Sequence, residues 1–218
     1  MSDVFYKTIR GSCRIAIATS HRPTVLGRDC IPPVGPLLLA PNHVSWFDIP
    51  ILVYHFPRIL DFVALYALFA HPFMCWFYRN MNCIRYDRSG PDAAAVRAVL
   101  LRLRRGRIVS IFPEGKLCAY EHSLFTDQPL RPGVARLAMK AQVAVMPVVL
   151  EGTDVYRRFD SWVPFFRARY GIAFGEPLPP PVAVRGLDRE EALQRFEAEY
   201  RNRMRALREN LLLAMQEE

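Results

Sequence analysis

The chain has 218 residues, 51% hydrophobic and 23% charged, which is long enough for one domain to bury its own core without disulfide or metal staples. That balance excludes a disordered chain, a polytopic membrane protein and the collagen-like and coiled-coil classes. Lys and Arg total 29 against 21 Asp and Glu, giving +8 at pH 7, nearly all guanidinium because Lys7, Lys116 and Lys140 are the only lysines; such a field favours anionic partners, whether nucleic acid, anionic lipid or a phosphorylated substrate.

Between Met1 and Ser20, the charges Asp3, Lys7, Arg10 and Arg14 precede a short Ile15-Ala16-Ile17-Ala18 run, without the apolar core and cleavage site of a secretory signal. Leu37 to Ala40 reads as the first buried strand and Ser45 to His55 as a helix. Ile59 to Tyr78 is the most hydrophobic window, roughly the length that crosses a bilayer, but Asp61 and His71-Pro72 interrupt it. It supports two readings: a strand from Leu60 to Ala64 followed by a buried helix, or a surface that dips into a membrane with Trp76, Phe77 and Tyr78 at the interface.

Further on, Ile84 to Tyr86 reads as a strand, and Pro91 to Arg105 as a helix with Pro in its first turn and Gly106 after its end. Ile108 to Phe112 is a strand, Gly133 to Ala141 a helix and Val143 to Val149 a strand, and this alternation indicates an α/β domain. Glu176 to Pro181 is a stiff extended connector. From Leu187 to Met215, Leu193, Phe196, Tyr200, Met204, Leu207 and Leu211 recur at helical spacing opposite a face rich in Arg and Glu, which predicts one long amphipathic helix packed back on the domain. Five cysteines (Cys13, Cys30, Cys75, Cys83 and Cys118) without a C-x-x-C pair argue against a disulfide framework or a thiolate zinc site, and for a cytosolic or cytosol-facing chain.

Dinucleotide, P-loop, zincin and serine-hydrolase motifs are absent. What remains is Asn42-His43-Val44-Ser45-Trp46-Phe47-Asp48 after the first strand. On a continuous helix, residues five apart point about 140° away from each other. His43 and Asp48 therefore meet only if the helix starts between them, with Ser45 as N-cap and Asp48 in the first turn, where a carboxylate is favoured. A His held by an Asp is a catalytic triad without its serine, so the nucleophile would come from the substrate, naturally an alcohol. The plainer alternative is that Asp48 completes a helix cap beside a structural His. A second feature is the strand Ile108 to Phe112 stopping at Pro113-Glu114-Gly115, which puts a carboxylate where open α/β sheets bind ligands.

Together these segments resemble the glycerolipid acyltransferase family. Its first motif, Asn-His-x-x-x-x-Asp, matches Asn42, His43 and Asp48; its second matches Ile84, Asp87 and Arg88, with Asn82 in place of the Gly that often opens it. The third matches Phe112, Pro113, Glu114 and Gly115, and the fourth Val145, Met146, Pro147 and Val148; Arg131-Pro132-Gly133-Val134-Ala135 resembles a basic-x-Gly segment between them. Where the family continues Thr-Arg-Ser, this chain has Lys116-Leu117-Cys118, and Leu65 replaces a common Lys. Two cations are thus missing from a phosphate pocket, at about 1.5 to 3 kcal/mol per charge-assisted contact, which weakens the case for a lysophosphatidic acid acceptor unless Arg85, Arg88 and Lys116 compensate.

The resemblance implies a glycerol-3-phosphate acyltransferase-like fold: one domain over 1–218 with a mixed central sheet, an N-terminal docking or capping segment 1–36, a catalytic core 37–175 and the C-terminal helix 182–218. It implies acyl transfer from acyl-CoA or acyl carrier protein to a lysolipid hydroxyl, with His43 as general base and Asp48 orienting it. Asn42, Arg85, Arg88, Glu114, Gly115 and Lys116 would bind substrate, Arg88 holding an anionic group and Glu114 binding acceptor hydroxyls or fixing the basic residues. No metal or resident cofactor is expected. Arg102, Arg104, Arg105 and Arg107 read as a solvated or lipid-facing helix end. Trp162, Phe165 and Phe166 beside Arg167 and Arg169 read as a docking loop for an anionic membrane or as a loop packed on the core, and peripheral or monotopic attachment at the cytoplasmic side of the cell membrane follows from an amphiphilic substrate. The rival readings are a non-catalytic lipid-binding relative and a basic nucleic-acid-binding module; no nucleic-acid fold signature accompanies the latter.

Overall fold

The computed structural model describes residues 3–120, 123–126, 132–157, 168–182 and 188–217. The expected docking residues Trp162, Phe165, Phe166 and Arg167, with Arg131 and Leu187, lie outside the described residues. In chain order the elements are α1 (Asp3–Ser20), β1 (His21–Leu26), β2 (Leu37–Pro41), α2 (Asp48–His55), β3 (Leu60–Leu65), α3 (Pro72–Asn80), β4 (Ile84–Tyr86), α4 (Ala93–Arg104), β5 (Ile108–Ser110), α5 (Gly133–Ala141), β6 (Val145–Glu151), β7 (Ala168–Phe174) and α6 (Arg189–Glu217).

The strands form one seven-stranded mixed sheet in the order β1-β7-β6-β2-β5-β3-β4. β6, β2, β5, β3 and β4 run parallel, β7 is antiparallel to β6, and β1 is parallel to β7. Because a strand turns alternate residues to opposite faces, near-continuous apolar runs mark strands buried on both sides. Leu38 and Ala40 on β2 join Val145 and Val149 on β6 under α4, α5 and α6. Leu37 and Leu39 join Met146, Val148 and Leu150 on the other face, under Tyr6 and Ile17 of α1 and Ile51 and Leu52 of α2. The result is a three-layer domain with helices on both faces.

Several elements differ from expectation. β1 lies within 1–36 and pairs with β7, so the sheet begins at His21, before the expected core. α2 starts at Asp48 with Phe47 as its N-cap, and Ser45 instead accepts the Phe47 N–H at 3.2 Å. α4 starts at Ala93, after Pro91, capped by Asp92 through the Ala95 N–H. α3 carries no buried residue, which goes against the buried-helix alternative of the two readings for this window; Phe73 and Trp76 are 60% and 53% exposed. Asp61, fully buried near the start of β3, receives Arg102 Nη1 at 2.8 Å and Arg107 Nε at 2.7 Å. Those two arginines thus form a buried ion cluster, while Arg104 and Arg105 are exposed as expected. α6 packs on the domain through Phe196, Tyr200, Met204 and Leu211, and Tyr200 Oη donates to the Ala40 carbonyl at 2.7 Å. Among the described residues no helix is long and apolar enough to cross a membrane.

Candidate functional site

Five parallel strands deliver their following loops to one edge of the sheet: Asn42 and His43 after β2, Phe112 to Cys118 after β5, Gly152 and Thr153 after β6, Tyr66 after β3 and Arg88 after β4. Open α/β sheets bind ligands at this edge.

The chain leaves β2 through Asn42, which is fully buried. Its Nδ2 donates to the Leu150 carbonyl at 2.9 Å and its Oδ1 accepts the Leu150 N–H at 2.8 Å. Both amide groups are committed to β6, so Asn42 anchors the loop and does not face a substrate, contrary to the expectation from sequence. The anchored loop turns His43 back onto Asp48, whose Oδ2 accepts Nδ1–H at 2.9 Å. The same oxygen accepts the Val44 and Ser45 N–H groups at 2.7 and 2.9 Å, and Oδ1 accepts the Ser45 and Thr153 hydroxyls at 3.2 and 2.7 Å. A fully buried carboxylate needs this many donors to offset its desolvation.

An ionised carboxylate only accepts hydrogen bonds, so the contact places the imidazole proton on Nδ1 and leaves the Nε2 lone pair open. Nε2 has no partner among the described residues, and the His43 side chain is 12% exposed. Its ring stacks on Phe112, centroids 3.8 Å apart. A base oriented by a carboxylate and supported on one face can take a proton from a hydroxyl arriving from the open side.

Glu114 ties the two loops together. Its Oε2 accepts the His43 N–H at 2.8 Å and its Oε1 the Leu124 N–H at 2.9 Å, while the Cys118 N–H donates to the His43 carbonyl at 2.8 Å. No ion pair to Glu114 is present among the described residues, where the carboxylate braces backbone. Burial raises its pKa to about 7, against the lowering by the Leu124 and His43 N–H groups; the Asp48 charge raises it further and Lys116 lowers it. Gly115 holds φ +66 directly after it, closing the turn through its N–H to the Phe112 carbonyl at 3.0 Å. That left-handed conformation favours glycine.

Arg85, Arg88 and Lys116 are exposed and make no hydrogen bond or ion pair with the dyad. The Arg85 guanidinium lies over the Tyr66 ring at 4.8 Å. Arg88 forms no ion pair with Asp87, whose carboxylate accepts the Ser89 N–H. β4 lies three strands from β2, roughly 14 Å at ~4.8 Å per strand, so Arg88 is at the rim of the site. Thr153 escaped the sequence reading: a Thr 105 positions from its partner follows no local spacing rule. A second histidine, His55, is structural. It is fixed between Arg28 Nη2 at 2.9 Å and Tyr170 Oη at 2.6 Å, and burial, then Arg28, lower its pKa to about 3. Among the described residues no group of His, Cys, Asp or Glu is arranged to hold a metal ion.

A family model described as Acyltransferase matches residues 22–151. The lyso-ornithine lipid O-acyltransferase of Pseudomonas aeruginosa is 31% identical over 182 residues, covering 73% of this chain and 64% of that protein. The 1-acyl-sn-glycerol-3-phosphate acyltransferase of Streptococcus pneumoniae is 27% identical over 143 residues, 65% of this chain and 49% of that one. The chain thus spans less than two thirds of the length of either relative. The crystal structure of the 1-acyl-sn-glycerophosphate (LPA) acyltransferase PlsC from Thermotoga maritima matches with a TM-score of 0.70 over 94% of this chain and 78% of that one, at 24% identity, a likeness of fold.

Proposed function

Because the chain belongs to the acyltransferase family, we propose that it moves a fatty acyl group from a thioester donor, acyl-CoA or acyl carrier protein, to the hydroxyl of a lysolipid. The observation that carries this reading is the contact between His43 Nδ1 and Asp48 Oδ2, with Nε2 left open. Nε2 removes the hydroxyl proton as the oxygen attacks the thioester carbonyl, and Asp48 stabilises the imidazolium that forms. General-base action of this kind contributes about 10²- to 10⁴-fold. The tetrahedral intermediate then expels the thiolate, which takes up the proton. A thiolate leaves readily enough that the reaction calls for neither a resident cofactor nor a covalent enzyme intermediate.

The acceptor is 1-acyl-glycerol-3-phosphate or a lysolipid with another head group. Leu65 and Leu117 replace two cations, which favours a head group with less negative charge, such as the ornithine in the name of the Pseudomonas relative. Arg88, at the rim, holds whatever anionic group the acceptor carries, and Lys116, on the loop after β5, adds positive charge to the same edge of the sheet; Gly115 lets backbone approach the ligand. The chain acts as one domain over 1–218, attached peripherally or monotopically at the cytoplasmic side of the cell membrane. Exposed Tyr66, Phe73 and Trp76 on one part of the surface, and the net positive charge, support docking on anionic lipid.

The test is to incubate the protein with labelled acyl-CoA or acyl carrier protein and vesicles carrying a panel of lysolipids, phosphate-free ones included, and to identify products by mass. An acylated lysolipid is expected, and a panel left wholly unmodified by both donors refutes the reading.

A further inference from the structure

We propose that Arg208, on α6 and outside the matched segment 22–151, is a positioning residue for the His43–Asp48 dyad that works by clasping two loops together. The kinetic part of this inference rests on the acyl-transfer reading above.

Arg208 Nε donates to Glu151 Oε2 at 2.7 Å and Nη2 to Oε1 at 3.3 Å. Its guanidinium carbon also lies 4.7 Å from the ring centres of both Tyr120 and Phe125. Glu151 ends β6, whereas Tyr120 and Phe125 belong to the loop that leaves Glu114. One side chain therefore joins the two loops by a two-pronged ion pair and two cation–π contacts. The Glu151 and Arg208 side chains are 10% and 25% exposed, so the pair is shielded more than an ordinary surface ion pair.

Two hydrogen-bonded routes run from this clasp to the dyad. On one, Tyr120 Oη accepts the Gly152 N–H at 3.0 Å, and the next residue, Thr153, donates to Asp48 Oδ1 at 2.7 Å. Gly152 sits at φ +74, and a Cβ there would lie 2.7 Å from the Arg169 carbonyl oxygen, so this turn has little room to move. On the other route, Leu124, next to Phe125, donates to Glu114, which holds the His43 N–H. Arg201 and Arg205, about two turns and one turn earlier on the same face of α6, donate to the Thr126 and Phe125 carbonyls at 2.9 and 3.0 Å. Both reach this loop, and Arg208 links it to the end of β6. α6 is itself anchored by buried Tyr200, Met204 and Leu211, so losing the Arg208 head group leaves the helix seated and releases the loops.

The test combines kinetics with amide exchange. Arg208→Ala is expected to lower kcat by about ten- to a hundredfold, the scale of a small misplacement of catalytic groups, with KM for acyl-CoA changed less than about twofold. Thr153→Val removes the hydroxyl at the end of the first route, and the double variant should be no slower than the slower single variant. Exchange at the Gly152 and Leu124 amides should quicken in Arg208→Ala while that at Met204 stays as in the parent. Arg203→Ala, which breaks an exposed pair with Glu199 on the same helix, should change neither readout. Additive kinetic losses, or unaltered exchange at Gly152 and Leu124, overturn the proposal. If the parent protein transfers no acyl group, exchange alone decides: quickening at both amides upholds the clasp while the acyl-transfer reading falls. Should Arg208→Ala fail to fold, Arg208→Gln, which keeps the stem of the side chain, is read by the same outcomes.

Discussion

Replacing Asp48 with Asn removes one charge and almost no volume. The three donors on Oδ2, from His43, Val44 and Ser45, can still meet an amide oxygen, and the Ser45 and Thr153 hydroxyls facing Oδ1 can rotate to accept from the amide nitrogen. The geometry therefore survives, and what disappears is the charge 2.9 Å from the imidazole. A hydrogen bond to a charged partner is worth about 1.5 to 3 kcal/mol. If that difference is felt only once His43 is protonated in the transition state, kcat falls roughly 10- to 150-fold at 1.36 kcal/mol per decade, with KM nearly unchanged. The assay is release of free thiol from acyl-CoA in the presence of the accepted lysolipid, alongside a thermal melt. A loss of less than about threefold in a variant that melts like the parent would show that the Asp48 charge does not assist the reaction, and the base assignment would fail.

Glu114 should make stability depend on pH. Its folded-state pKa, about 7, lies above the ordinary 4.5, so its contribution is fully present below about 4.5 and is lost as pH rises through 7. The stability of the parent relative to Glu114→Gln should accordingly decline between those values, as read by urea melts; a gap that stays constant or widens with pH contradicts the assigned burial. Asp61→Asn, at the opposite edge of the sheet from His43, leaves Arg102 and Arg107 without their shared carboxylate and should cost about 3 to 5 kcal/mol. Acyl transfer per folded molecule should persist, and its loss would contradict the separation of this cluster from the site.

The buried parallel strands were legible because both of their faces are apolar, which leaves uninterrupted runs such as Leu37 to Ala40. β1 and β7 were not. β1, reading His-Arg-Pro-Thr-Val-Leu, is an edge strand with too much polarity for a buried run and too little alternation for a half-buried one. Sequence alone leaves α3 open between a buried helix and an exposed surface because its aromatic residues suit either; in the structure Phe73 and Trp76 stack on each other at 6.0 Å in the open. The dyad was visible in the spacing of His43 and Asp48, since it required a bend that the chain supplies. The supports of the dyad were hidden. Thr153 and Leu150 are more than a hundred positions away from the groups they hold, and Arg208 was one Arg among several on a helix face that looked solvated.

The most direct measurement is thiol release from acyl-CoA, with lysolipid present, by the parent chain and by His43→Ala. Steady release by the parent, abolished to within about a hundredth to a ten-thousandth in the folded variant, is the predicted result. Equal rates in the two proteins would contradict a His43-based transfer, and a parent that binds lysolipid while consuming no thioester would leave a lipid-binding protein in its place.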